Sequence, residues 1–143
     1  PLVGKPVAPA ARYLTGGEGA LDLAALRGRV VLVDVGATWS TPCRAGVPDL
    51  NRVQEELAPR GLSVVGLVVD RAPFGDVSSA AQGLGAIYPV ALATPEYAQQ
   101  FGAVRALPTR VLLDRKGSVR KVYAGAVPVD QIKADVAALL NEG

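Results

Sequence analysis

Apolar residues run almost unbroken through Val30-Val31-Leu32-Val33-Asp34-Val35, a β-branched stretch that predicts a buried strand. A second such run, 62–69, is nearly all apolar and predicts a buried parallel strand. Between them Val47, Leu50, Val53 and Leu57 recur at three- and four-residue spacing, which predicts one amphipathic helix from Thr41 to about Ala58. Ser40 is a preferred N-cap and Pro42 fits the first turn, so the helix starts there and Gly61 ends it. Pro48 falls inside this helix and predicts a bend rather than a break.

Around this centre the pattern predicts shorter pieces. Residues 1–9 are proline-rich and read as an extended lead-in. A short strand at 12–15 turns through Gly16-Gly17-Glu18-Gly19 into a partner at 20–23, and Asp22 caps a turn over 23–26 closed by Gly28. After a loop at 70–75 come a glycine-interrupted helix at 76–84, a strand at 88–91, and a short helix at 95–101 with Gly102 at its end. A hairpin joins 110–114 to 118–124 across Arg115-Lys116-Gly117. A last helix, 129–140, puts Ile132, Val136, Leu139 and Leu140 on one face. Strands alternating with helices, then a terminal hairpin and helix, predict a single α/β domain over residues 1–143 with a mixed sheet.

Composition narrows the chemistry. At 143 residues, half of them hydrophobic, the chain is long enough to bury a true core. A net charge of +2 from scattered basic residues, without interleaved aromatics, argues against nucleic acid as a partner. There is no His and one Cys, which excludes a histidine-based triad and a His/Cys zinc site, so neither a metal nor a cofactor is expected. A lone cysteine makes no intrachain disulfide. The absence of Met and a start at Pro1 suggest a leader removed from the front, and no apolar run is long enough to span a bilayer.

The candidate chemistry clusters where the first strand hands over to the helix, in Trp39-Ser40-Thr41-Pro42-Cys43. A helix N-terminus favours negative charge, including a thiolate. These residues resemble the Trp-Cys-x-Pro-Cys site of thioredoxin-like oxidoreductases of the TlpA/ResA/DsbE type. The order of elements is also similar, including the opening hairpin and the TlpA-type insertion after the second core strand. The resemblance implies a thioredoxin-like α/β fold with a central mixed sheet flanked by helices. It implies thiol–disulfide exchange on exported partner proteins, such as those of cytochrome c maturation, by a monomer using a membrane or soluble redox partner. The location it implies is the bacterial periplasm or the outer face of the cytoplasmic membrane.

One residue departs from that pattern. Ser40 stands where the family carries its exposed attacking cysteine, so Cys43 takes the place of the resolving thiol. A serine hydroxyl forms no disulfide, and with no histidine to activate it Ser40 reads as a plain N-cap. Either an engineered Cys→Ser change or a natural loss of dithiol chemistry accounts for it, and the intact Trp39, Pro42, Asp34 and Pro108 favour the first. Asp34 is a carboxylate in an apolar strand and needs an explanation. It is either paired to a nearby lysine or to water, or, as in thioredoxin, a buried acid six residues before the first active-site position that relays protons to the inner thiol. Leu107-Pro108-Thr109 matches the family's cis-proline, whose preceding backbone pairs with an extended substrate segment. Trp39, Thr41, Pro42, Leu107 and Pro108 are then the substrate-facing residues. Gly36 replaces the family's usual aromatic residue, which predicts a looser loop or an open groove. Arg44 and Arg71 read as solvated surface charges.

Two other functions fit the fold. A one-cysteine peroxiredoxin-like peroxidase would use Ser40-x-x-Cys43, although Gly36 stands where its proline belongs. A redox-inactive binding module would use the groove beside Pro108 and be indifferent to the state of Cys43.

Overall fold

A computed structural model describes residues 11–101 and 106–142. The expected lead-in at 1–9 and Gly102 at a helix end lie outside the described residues. Strands β1 (Ala11–Thr15) and β2 (Ala20–Leu21) form the opening hairpin, and Asp22 accepts the Ala24 N–H to start a 3-10 turn over Leu23–Leu26. That capping role takes Asp22 out of the ladder, so β2 is two residues long rather than four. The core then runs β3 (Val30–Gly36), α1 (Thr41–Leu57), β4 (Leu62–Val68), α2 (Phe74–Gln82), β5 (Val90–Leu92) and α3 (Pro95–Gln99). It closes with β6 (Thr109–Leu113), β7 (Val119–Ala124) and α4 (Val129–Asn141).

The strands form one mixed sheet in the order β2-β1-β5-β4-β3-β6-β7. Strands β3, β4 and β5 are parallel, and β6 and β7 are added antiparallel on the far side of β3. Because side chains alternate across a strand, β3 feeds two cores. Val30 and Leu32 join Leu50, Val53 and Leu57 of α1 and Ile132 and Val136 of α4 on one face. Val31, Val33 and Val35 pack on the other with Ala98 and Phe101. The period that places Val30 and Leu32 under α1 places Asp34 there too.

Helix α1 runs continuously through Pro48, whose ring lies on the exposed face. It ends in a 3-10 turn closed by Gly61 at φ 116°, a conformation open to glycine at little cost. Helix α2 starts two residues earlier than its pattern predicts, directly after Pro73. Strand β5 starts later, at Val90, because Pro89 has no N–H for the ladder and offers only its carbonyl, to Gly66 N–H at 2.8 Å.

Candidate active site

Strand β3 ends at Gly36, whose carbonyl accepts Val69 N–H at 2.9 Å, and the chain turns through Ala37–Ser40 into α1. The turn is held from outside by Asp70, just past β4. Its carboxylate accepts the Thr38 N–H at 2.9 Å and the Thr38 hydroxyl at 2.5 Å. Arg44 adds a tie from within the helix, donating to the Thr38 carbonyl at 3.1 Å and to Thr41 Oγ1 at 3.2 Å. Arg44 is exposed, as expected, but it is not merely a solvated charge. Asp70→Ala leaves the buried Thr38 amide without its acceptor and is expected to cost about 1–3 kcal/mol, read as a lower urea midpoint.

Ser40 is the N-cap of α1, and its Oγ accepts the Cys43 N–H at 3.4 Å. The family pattern predicts exposure at this position, yet Ser40 is only 6% exposed because its hydroxyl turns inward over the first helical turn. Cys43 is buried beneath it, one turn into the helix. Thr41 and Pro42 are exposed, and Trp39 projects outward from the loop with 68% of its surface accessible.

Gly36 opens no groove. A Cβ there would come within 2.8 Å of Cys43 Sγ, so the sulfur occupies the space a side chain would need. Beside the sulfur lies a cavity of about 20 Å³, lined by Asp34, Cys43, Tyr88, Gly66, Val47 and neighbouring residues. That volume suits a single water.

Asp34 does not stand alone in its apolar strand. Arg110, directly opposite on β6, donates Nε–H to Asp34 Oδ1 at 3.0 Å, and both residues are more than nine-tenths buried. The guanidinium reaches α1 at Gly46, where any side chain would collide with Arg110 Nη2. On the other flank Gly66 faces Asp34 from β4 and leaves room for the ring of Tyr88, 3.4 Å from where a Cβ would sit. Asp34 is paired to a cation, but the partner is Arg110 rather than the expected lysine or water.

Burial pushes the Asp34 carboxyl above its ordinary value of 3.8, and Arg110 pulls it part of the way back by charge and hydrogen bond. The folded chain holds this proton to higher pH than the unfolded chain, so this group's contribution to stability is full below the unfolded midpoint. It is lost as pH rises through the folded midpoint, by about 1.4 kcal/mol per unit of separation. Urea midpoints between pH 3.5 and 7 are expected to show this loss in the unmodified chain and not in Asp34→Asn.

The Leu107–Pro108 peptide is cis. Thr109 pairs with Val35, which puts Pro108 at the level of Gly36, at the end of the sheet where the loop leaves for α1. The tertiary structure therefore brings Ser40, Cys43, Asp34 and Pro108 to one end of adjacent strands. Arg110, Tyr88 and Asp70 join them although the sequence pattern does not single them out. For Arg110 a signal existed: a lone cation in one buried strand and a lone anion in another.

A sequence profile described as Redoxin matches residues 2–140. A thioredoxin-family thiol:disulfide interchange protein from Chlorobium tepidum TLS superposes with a TM-score of 0.78 at 31% identity, covering 95% of this chain and 97% of that one. Protein DipZ of Mycobacterium tuberculosis (strain CDC 1551 / Oshkosh) is 30% identical over 132 residues, which is 90% of this chain but 19% of DipZ. Thiol-disulfide oxidoreductase ResA of Geobacillus thermodenitrificans is 26% identical over 107 residues, 75% of this chain and 61% of ResA. The chain thus spans a small part of DipZ and under two thirds of ResA. With the strand order, the capped helix and the profile match in agreement, the chain belongs to the Redoxin family, among its thioredoxin-like thiol–disulfide oxidoreductases.

Proposed function

We propose that this chain is a single thiol–disulfide exchange domain for exported partner proteins, held in a Cys→Ser form that stops before the first chemical step. The observation that carries the reading is the placement of Ser40. It caps α1 directly above Cys43, at the helix end where a thiol is most acidified. A sulfur there would attack a substrate disulfide, releasing one substrate thiolate and forming a mixed disulfide. Cys43 would then attack that bond, leaving a 40–43 disulfide and the substrate reduced by two electrons. A membrane or soluble redox partner restores the dithiol, and the same steps run backward oxidise a partner.

Trp39, Thr41 and Pro42 form the rim that meets the substrate, and the backbone at Leu107, before Pro108, pairs with its extended segment as an added strand. No cofactor enters the cycle, and one chain suffices. The family resemblance supports export to the periplasm or the outer face of the cytoplasmic membrane, with cytochrome c maturation as one task. Among the described residues no helix is long and apolar enough to cross a membrane.

The test is Ser40→Cys, assayed for reduction of insulin disulfides by a small dithiol. Gain of turnover supports the reading; a folded variant without turnover overturns it.

A further inference from the structure

We infer that Gly36 is a positioning residue for the inner thiol: the bare end of β3 seats the Cys43 sulfur while it is reduced, and so biases a 40–43 thiol pair toward its dithiol form. The purpose of such a seat rests on the exchange reading, whereas the seat itself rests on the packing of α1 against β3.

Gly36 closes β3 without a positive φ, so its backbone does not call for glycine. A glycine in a strand weakens it and often marks a place where another group approaches closely. Here the first turn of α1 makes that approach. A Cβ at position 36 would meet Cys43 Sγ at 2.8 Å and Cys43 Cβ at 3.3 Å. The sulfur therefore rests where a side chain would stand, walled by Val47 and Val68, and Cys43 is buried there. Ser40 does not hold it from above, because the Ser40 hydroxyl is bonded to the Cys43 amide. A helical cysteine has two common χ1 wells, so a sulfur denied this one turns to the other.

Oxidation of a 40–43 thiol pair by glutathione disulfide breaks two S–H bonds and the glutathione S–S bond. It forms the 40–43 bond and two glutathione thiols, and two electrons pass from the protein to glutathione. The new bond ties the inner sulfur to position 40 and draws it off Gly36, so the contacts of the seat belong to the reduced form alone. The approach of Cys43 Cβ to position 36 is common to both forms and cancels. A methyl group in the seat thus penalises the dithiol and leaves the disulfide as it was.

Equilibration of Ser40→Cys against glutathione, with and without Gly36→Ala, measures the bias. Gly36→Ala is expected to raise the constant for oxidation at least about tenfold, which is about 30 mV toward a stronger reductant. In the chain with Ser40, where Cys43 is the only cysteine, the same change is expected to speed alkylation by iodoacetamide several-fold, since the sulfur leaves its shelter. Val136→Ala, on α4 and away from the cavity beside the sulfur, weakens the core without touching the seat and is expected to leave the glutathione constant unchanged. An unchanged constant in folded Gly36→Ala overturns the inference, as does an equal shift in Val136→Ala. Should Gly36→Ala not fold, the Hα–Hβ couplings of Cys43 in Ser40→Cys decide: different χ1 wells in the dithiol and the disulfide support the seat, and one well in both overturns it. A 40–43 disulfide that shifts as expected without turnover of insulin would refute the exchange function and leave the seat standing. If no such disulfide forms, the exchange function fails and the alkylation rates judge the seat, an unchanged rate overturning it.

Discussion

Placing sulfur at position 40 is expected to raise disulfide reduction at least about a hundredfold above the unmodified protein. The estimate rests on proximity. In Ser40→Cys the mixed disulfide is resolved by Cys43 from the same helical turn, and well-oriented intramolecular partners reach effective concentrations of about 10⁵ M or more. An external thiol at millimolar concentration cannot compete with that. Ser40 Oγ already lies over the first turn, within reach of the Cys43 amide, so a sulfur in its rotamer approaches the inner thiol without rebuilding the loop. The Asp70–Thr38 and Arg44–Thr38 ties hold that loop in either form. Turnover with insulin, together with a 40–43 disulfide found by mass spectrometry after oxidation, checks the prediction.

The second large effect is expected from splitting the buried ion pair. Asp34→Leu strands a guanidinium that cannot shed its proton, and should cost about 3–5 kcal/mol. Arg110→Leu should cost less, because Asp34 can take up a proton and become neutral, and its penalty should grow as pH rises. The double replacement should recover most of the loss, since well-packed apolar residues often substitute for a buried pair without penalty. Urea unfolding of the four proteins closes the cycle. A large coupling energy with a stable double variant would mean that the two charges depend on each other while the fold does not require the pair.

The apolar run from Val30 to Val35, the stripe of Val47, Leu50, Val53 and Leu57, and the cap at Ser40 were enough to lay out the centre of the fold, because each depends on neighbours a few residues away. The same locality explains the slips. Tyr88 reads as strand from its own neighbours, yet Pro89 beside it cannot donate to the ladder and β5 waits until Val90. Gly36 reads as loose from a missing side chain, while the space is taken by a sulfur seven residues away.

The order of residues alone requires a helix beginning at Ser40 with one thiol a turn inside it, and a carboxylate in a buried strand. Those are facts of spacing and residue type. It took the folded chain to bring Asp34 against Arg110 from 76 positions away, to set Gly46 and Gly66 where they clear space for the guanidinium and the Tyr88 ring, and to carry Pro108 to the same sheet end. Such meetings depend on strand order and register, set when the β6–β7 hairpin adds antiparallel to β3, and no local pattern encodes them.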